Sequence, residues 1–288
     1  MLLILVAAAC SQLPKIGAGG LLHPGRRTLN VARPAACQDA DFAGAGVTLR
    51  GWRCGPQAPG RGTIIYLHGI ADNRSSARGV IERFTPRGVQ VIAYDSRAHG
   101  QSGGDACTYG VLERRDLQKV IDAIGDRRVV VIGTSLGAAV ALQAAAEDPR
   151  ISAVVAAETF SDLRTVATER APFVFTRGSI ARALTLAEQQ GGFRVDAASP
   201  LAAAPQIKAA VLLIHGEQDR ETPPAHSQRV FEALRGRRRF ILVPGAGHNQ
   251  SLGRPGVWAD IDRWIDSALG TLPPSSRSSG TPSARDGR

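Results

Sequence analysis

The sequence predicts an α/β fold with a mostly parallel sheet of about eight strands and helices on both faces. Three observations lead there. Short β-branched or apolar runs recur along the chain. Within each run the apolar residues are consecutive, as in strands buried on both faces. Between the runs lie helical patterns, and strand and helix taken in turn give parallel neighbours with short connections.

The first ten residues, MLLILVAAAC, form an apolar run that ends in three small residues and Cys10. A bilayer span needs about 20 apolar residues, so this run is too short to cross. It resembles a bacterial lipoprotein leader over residues 1–9, with Cys10 as the lipidated residue. That resemblance implies export to the periplasm, with peripheral membrane attachment through Cys10. An apolar first helix on a cytoplasmic protein is the alternative. Residues 10–40 read as an N-terminal linker and 41–270 as one domain. Cys37 and Cys54 either close a small loop in an oxidising compartment or, with Cys107, stay as buried thiols.

A hairpin-like stretch near Phe42 to Trp52 predicts antiparallel strands at one sheet edge. The continuous runs follow: Thr63–Leu67, Val89–Tyr94, Val129–Ile132, Ile151–Ala156, Ala210–Ile214 and Phe240–Val243. Helical patterns cover Arg74–Phe84, Leu112–Ile124, the Ala-rich Leu136–Ala146, Pro224–Leu234 and Val257–Leu269. Leu112, Leu117, Val120, Ile121 and Ile124 recur on one face of the second of these. The rhythm breaks at 160–205, a long helix-rich insertion between two strands. Residues 271–288 (TLPPSSRSSGTPSARDGR) hold no apolar period and read as a disordered tail.

In parallel sheets ligands bind beyond the carboxyl ends of the strands, so the residues after each run carry the chemistry. After VVVI comes Gly133-Thr134-Ser135-Leu136-Gly137, a G-x-S-x-G between a strand and an Ala-rich helix. That context is a nucleophile elbow, with Ser135 exposed on a strained turn and Gly133 and Gly137 leaving room for strand and helix to meet. An N-cap role would explain the serine but not the flanking glycines. A serine hydroxyl needs a base to take its proton and an acid to orient that base. His215-Gly216-Glu217-Gln218-Asp219 follows one later strand, and Pro244-Gly245-Ala246-Gly247-His248 follows the last. Ser135 and His248 are the expected nucleophile and base, and Asp219, Glu217 and Glu158 are the candidate acids. The other histidines fit worse: His23 lies near the N-terminus, His226 on a helix and His215 at a strand end.

Taken in order, His68-Gly69, the stretch Asp95-Ser96-Arg97-Ala98-His99-Gly100-Gln101-Ser102-Gly103, GTSLG, HGEQD and GAGH resemble the α/β-hydrolase superfamily from about Val47 to Gly270. The resemblance implies that Asp219, in HGxxD, is the acid. It also implies an oxyanion hole from the backbone N–H groups of Ile70 and Leu136. His68, Gly69, Asp95 and Arg97 are then structural, and the 160–205 insertion is a small cap over the acyl pocket. A serine nucleophile disfavours the carboxylate and thiol chemistries of the same fold. The expected reaction is ester hydrolysis through an acyl-enzyme. The alternative is a proline-iminopeptidase-like or acylaminoacyl peptidase, followed by acyl transfer or thioester cleavage and a non-enzymatic binding protein.

No H-E-x-x-H, paired-Cys or phosphate-cradling pattern occurs, so no metal and no cofactor are expected. The formal charge of +10 raises nucleic acid as a partner. Among 35 Lys and Arg, however, only Lys15, Lys119 and Lys208 are lysine, and the arginines are spread along the chain without interleaved aromatics. The expected partner is a small-molecule ester or acyl substrate, with no nucleic acid, and the chain is expected to be a monomer.

Overall fold

The computed structural model describes residues 2–56, 61–125 and 128–270, with side chains from residue 12 onward. The expected tail at 271–288 lies outside the described residues. Helix α1 (Leu2–Leu22) leads into a hairpin of β1 (Cys37–Ala43) and β2 (Thr48–Cys54). Then follow β3 (Thr63–Leu67), α2 (Arg78–Phe84), β4 (Gln90–Tyr94), α3 (Glu113–Ile124), β5 (Val129–Thr134) and α4 (Leu136–Glu147). After β6 (Ile151–Ala157) the insertion supplies α5 (Leu163–Glu169), α6 (Arg177–Gly191) and the short α7 (Pro200–Ala203). The chain closes with β7 (Ala210–Gly216), α8 (Ala225–Ala233), β8 (Arg238–Val243) and α9 (Pro255–Leu269).

The eight strands form one sheet in the order β1-β2-β4-β3-β5-β6-β7-β8. The β1–β2 and β2–β4 pairs are antiparallel and every other neighbouring pair is parallel. The consecutive apolar positions of the inner strands have the expected cause, because each alternate residue feeds a different core. Ile65 and Leu67 of β3 join Leu117 and Ile121 of α3 and most of α4 on one face. Ile64 and Tyr66 join Val80, Ile81 and Phe84 of α2 and Ile261 and Ile265 of α9 on the other. β8 is the sheet edge, where Arg238 and Arg239 stand exposed and discourage further pairing.

Two expectations change. The stretch read as a linker at 10–40 begins as helix: α1 runs without a break through Cys10 to Leu22, and Ala18 and Leu22 are fully buried in the main core. An apolar segment that can bury a face against the domain is held as a helix by tertiary packing, whatever its composition suggests locally. The side chain of Cys10 lies outside the described ones. Among the described residues no helix is long and apolar enough to cross a membrane.

The second change settles what was open: Cys37 and Cys54 sit directly opposite each other in the β1–β2 register and are joined by a disulfide. Cys107 is a free, buried thiol. The bond closes a short loop in the unfolded chain, and by loop entropy it is worth about 3 kcal/mol. The double change Cys37→Ser, Cys54→Ser is therefore expected to lower the unfolding free energy by about 2–4 kcal/mol in urea titrations. An unchanged midpoint would show that the hairpin needs no cross-link.

Candidate active site

The strand ends β3, β5, β6, β7 and β8 open on the same edge of the sheet, and the loops after them meet around Ser135. Ser135 connects β5 to α4 with φ 49° and ψ −112°, a conformation an L-residue avoids. Its N–H donates to the Ala157 carbonyl at 2.8 Å, which fixes the turn against β6. The flanking glycines are steric requirements. A Cβ on Gly133 would overlap the backbone of Gly137 and Ala138, and one on Gly137 would overlap the carbonyls of Leu67 and His68. Strand, turn and helix thus pass too close to β3 for any side chain.

His248 lies on the loop after β8. Its Nε2 is 3.0 Å from Ser135 Oγ and its Nδ1 is 2.6 Å from Asp219 Oδ2. The residues expected from the sequence therefore form one connected relay. The carboxylate of Asp219 is fully buried and also accepts from the backbone N–H of Glu221 at 3.0 Å and Thr222 at 2.9 Å. His215 Nε2 stands 3.2 Å from the same carboxylate. Burial alone would raise the Asp219 carboxyl, but His215, His248 and the Thr222 amide outweigh it and hold it well below the usual carboxylate range. With Asp219 ionised at Nδ1, His248 presents Nε2 to Ser135 as the basic nitrogen.

The alternative acids do other work. Glu217 is exposed and accepts from the Gly245 N–H at 3.3 Å. Glu158 is buried at φ 52° and accepts from the Ser251 N–H at 3.1 Å, so it anchors the turn after His248 instead of holding the imidazole. Burial raises the Glu158 carboxyl above its ordinary range. His215, which the sequence reading set aside, proves to support Asp219. Its Nδ1 is 2.6 Å from Ser227 Oγ and its Nε2 2.7 Å from the Thr222 carbonyl, so the buried ring fastens α8 to the Asp219 loop. No residue spacing announces that role, because it depends on where α8 packs.

Ile70, Ser135 and Leu136 line one cavity. Leu136 is the first residue of α4, where the backbone N–H has no partner within the helix and the dipole favours negative charge. Ile70 lies on the loop after β3, between Gly69 and Ala71, whose φ is 56°. That loop is braced from beneath. Arg74, four residues on, donates to Asp95 through its backbone N–H at 2.8 Å and its guanidinium at 2.5 Å. His68 accepts from the Ser96 N–H at 2.9 Å through Nε2, which leaves Nδ1 to donate to the Gly69 carbonyl at 2.7 Å. Burial pushes its pKa down, keeping the ring neutral. Arg97 makes a two-pronged pair with Asp116, both bonds 2.7 Å, and ties the loop to α3. Ser102 Oγ donates to the Asp95 carbonyl and His99 Nδ1 meets the Arg97 carbonyl, closing the loop on itself. Ala98 takes φ 59°, a backbone that suits glycine.

The cavity at Ser135 measures about 410 Å³ and is walled by apolar groups including Phe160, Leu163, Val166 and Leu184. Among the described residues, no group of three or more His, Cys, Asp or Glu is placed to hold a metal ion. The buried Cys107 thiol has its pKa raised well above normal by burial, which suits packing and not nucleophilic attack.

The depressed Asp219 carboxyl has a stability signature. A carboxyl whose pKa is lowered on folding contributes fully above its unfolded value of about 3.9 and loses the contribution as pH falls from there toward the folded value. Asp219→Asn is expected to lower Tm by a constant amount between about pH 5 and 8 and by progressively less below about pH 4. Thermal unfolding followed by circular dichroism at each pH checks this, and a gap that widens on acidification would contradict it.

A family model described as alpha/beta hydrolase fold matches residues 62–183. The protein YfhR of Escherichia coli O157:H7, itself uncharacterized, is 28% identical over 263 residues, covering 86% of each chain. The uncharacterized YqkD of Bacillus subtilis (strain 168) is 29% identical over 227 residues, covering 72% of this chain and 70% of its own. Among solved structures, the Pyrococcus furiosus esterase Pf2001 superposes with a TM-score of 0.70 at 26% identity, over 86% of this chain and 100% of that one. Sheet order, elbow and these likenesses agree, and the chain has the α/β-hydrolase fold.

Proposed function

We propose that this hydrolase is a serine esterase that cleaves carboxylic esters through a covalent acyl-enzyme on Ser135. The observation that carries the reading is the unbroken relay from Ser135 Oγ through His248 to the buried Asp219, at the floor of an apolar cavity. Asp219 holds the Nδ1 proton of His248, so Nε2 takes the hydroxyl proton as Ser135 Oγ bonds to the ester carbonyl carbon. The carbonyl π electrons move to oxygen, and the resulting oxyanion meets the N–H groups of Leu136 and Ile70. The C–O bond to the alcohol then breaks, and His248 returns its proton to the departing oxygen. Water repeats the sequence: His248 takes its proton, hydroxide oxygen bonds to the acyl carbon, and the Ser135 Oγ–C bond breaks as Oγ is reprotonated.

Ester is favoured over peptide by the cavity walls. Among the described residues lining it, none is a carboxylate that would hold the free amino terminus of a peptide. The solved relative at 26% identity is an esterase, which points the same way.

Wild-type protein is expected to label with a fluorophosphonate probe and Ser135→Ala to lose the label entirely. Labelling that persists in the variant, or is absent from the wild type, refutes the nucleophile. Asp219→Asn is expected to reduce kcat on p-nitrophenyl esters by about 10⁴-fold, because the imidazole is then held in the wrong tautomer. Faster turnover of aminoacyl anilides than of those esters would move the assignment to a peptidase.

A further inference from the structure

We infer that α1 is a fixed wall of the acyl pocket, and that Gly20 on this helix sets how long an acyl chain the enzyme accepts. The inference rests on the esterase reading of Ser135 and adds to it a substrate class: esters whose acyl group is apolar and longer than acetyl.

The cavity that opens at Ser135 is closed from three directions. The domain supplies Ser135, Leu136 and Ile70, the insertion supplies residues of α5 and α6, and α1 supplies Ile16, Gly17, Gly20 and Leu21. An N-terminal helix could lie loosely over such an opening, but this one is fastened through its last turns. The Leu22 carbonyl accepts from the Cys107 N–H at 2.8 Å, and the Leu21 carbonyl accepts from Tyr109 Oη at 3.1 Å. Gly17 lets α1 lie directly on α6, since a Cβ there would come within 2.9 Å of Ala183 Cβ and 3.0 Å of the Phe175 ring. Ala18 and Leu22, on the turn between, are fully buried.

Gly20 is the position where this wall stays thin. It lines the cavity, and a Cβ built on it meets no atom within 4 Å. A glycine costs a helix interior about 1 kcal/mol against alanine, so two adjacent glycines in the last turns of α1 are unfavourable for the helix itself. Gly20 is exposed where it lines the cavity, so a side chain placed there has room to extend over the opening without meeting the core. Small-molecule sites run from about 300 to 1,000 Å³, so the cavity of about 410 Å³ takes a substantial apolar group while excluding bulky ones.

Each methylene buried is worth about fourfold in binding, so a wall that displaces two of them changes specificity by more than tenfold. The test compares p-nitrophenyl acetate with p-nitrophenyl octanoate on the wild-type full chain, Gly20→Phe and Gly19→Phe. Gly19 shares the helix but does not line the cavity, and its Cβ also meets nothing within 4 Å. Wild type is expected to favour the octanoate in kcat/KM. Gly20→Phe is expected to lower the octanoate-to-acetate ratio of kcat/KM at least tenfold, mainly through the octanoate KM, while Gly19→Phe leaves that ratio unchanged. An unaltered ratio in Gly20→Phe overturns the inference, as does an equal change in Gly19→Phe, which would mean helix disturbance and not a wall. A wild type that favours acetate also overturns it while leaving the nucleophile reading intact. If the wild type neither labels with fluorophosphonate nor hydrolyses either ester, the esterase reading falls and takes this inference with it.

Discussion

Strand β5 has to reverse into α4 within one residue while both pass over the end of β3, and no Cβ fits at either flank of that turn. The close approach holds Ser135 at φ 49°, places Leu136 at the start of α4, and leaves the Ser135 hydroxyl 3.0 Å from His248 Nε2 on the loop after β8. Four other residues around the site also have positive φ: Ala71 beside the Ile70 amide, Tyr109 in the cavity wall, Glu158 after β6 and Asn249 beside His248. Such conformations cost about 1–3 kcal/mol each and persist only where surrounding structure determines them. The two hydrophobic cores on either side of the sheet provide that determination, since every inner strand is anchored from both faces.

Electrostatics is arranged so that one carboxylate near the imidazole is stabilised in its charged form and the other is not. Asp219 receives hydrogen bonds from two histidines and two amides. Glu158, nearby, has one oxygen served by Ser251 and the other buried without a partner. Burial acts on both groups in the same direction, so the difference lies in donors. An imidazolium formed at His248 is therefore stabilised from the Nδ1 side, where the relay needs it.

The strands, the elbow and the three residues of the relay were legible in the sequence because each is a local signal: an apolar run of strand length, then glycine, serine or histidine just beyond its carboxyl end. Asp95 and Arg97 were legible as structural residues, although their partners Arg74 and Asp116 belong to distant elements that pattern alone does not join. What stayed illegible depends on tertiary placement. The N-terminal stretch looks like a leader joined to a linker, and only the faces of α6 and the Cys107–Tyr109 turn make it a packed helix. Ala98 in left-handed backbone follows the same logic: the loop's own hydrogen bonds hold the alanine there.

The excess of arginine also takes its meaning from placement. Arg83 and Arg87 both reach Asp262, Arg87 and Arg61 reach Asp266, and Arg83 stacks over Trp258 at 5.3 Å, so α9 is tied to α2 and the sheet end through planar, multi-pronged contacts. Arg74 and Arg97 perform the same service under the oxyanion loop, buried. Lysine, with a compact ammonium on a flexible stem, makes neither the bidentate pair nor the ring stack as well. Exposed pairs of this kind add little stability each, about 0–1 kcal/mol, but the buried ones fix position, because an unpaired charge at Asp95 or Asp116 would be costly. The preference for arginine over lysine thus serves the frame around the site, while among the described residues lining the cavity most are apolar and Arg170 is the one charged residue. Charge organises the frame, and apolar side chains shape the cavity beside Ser135.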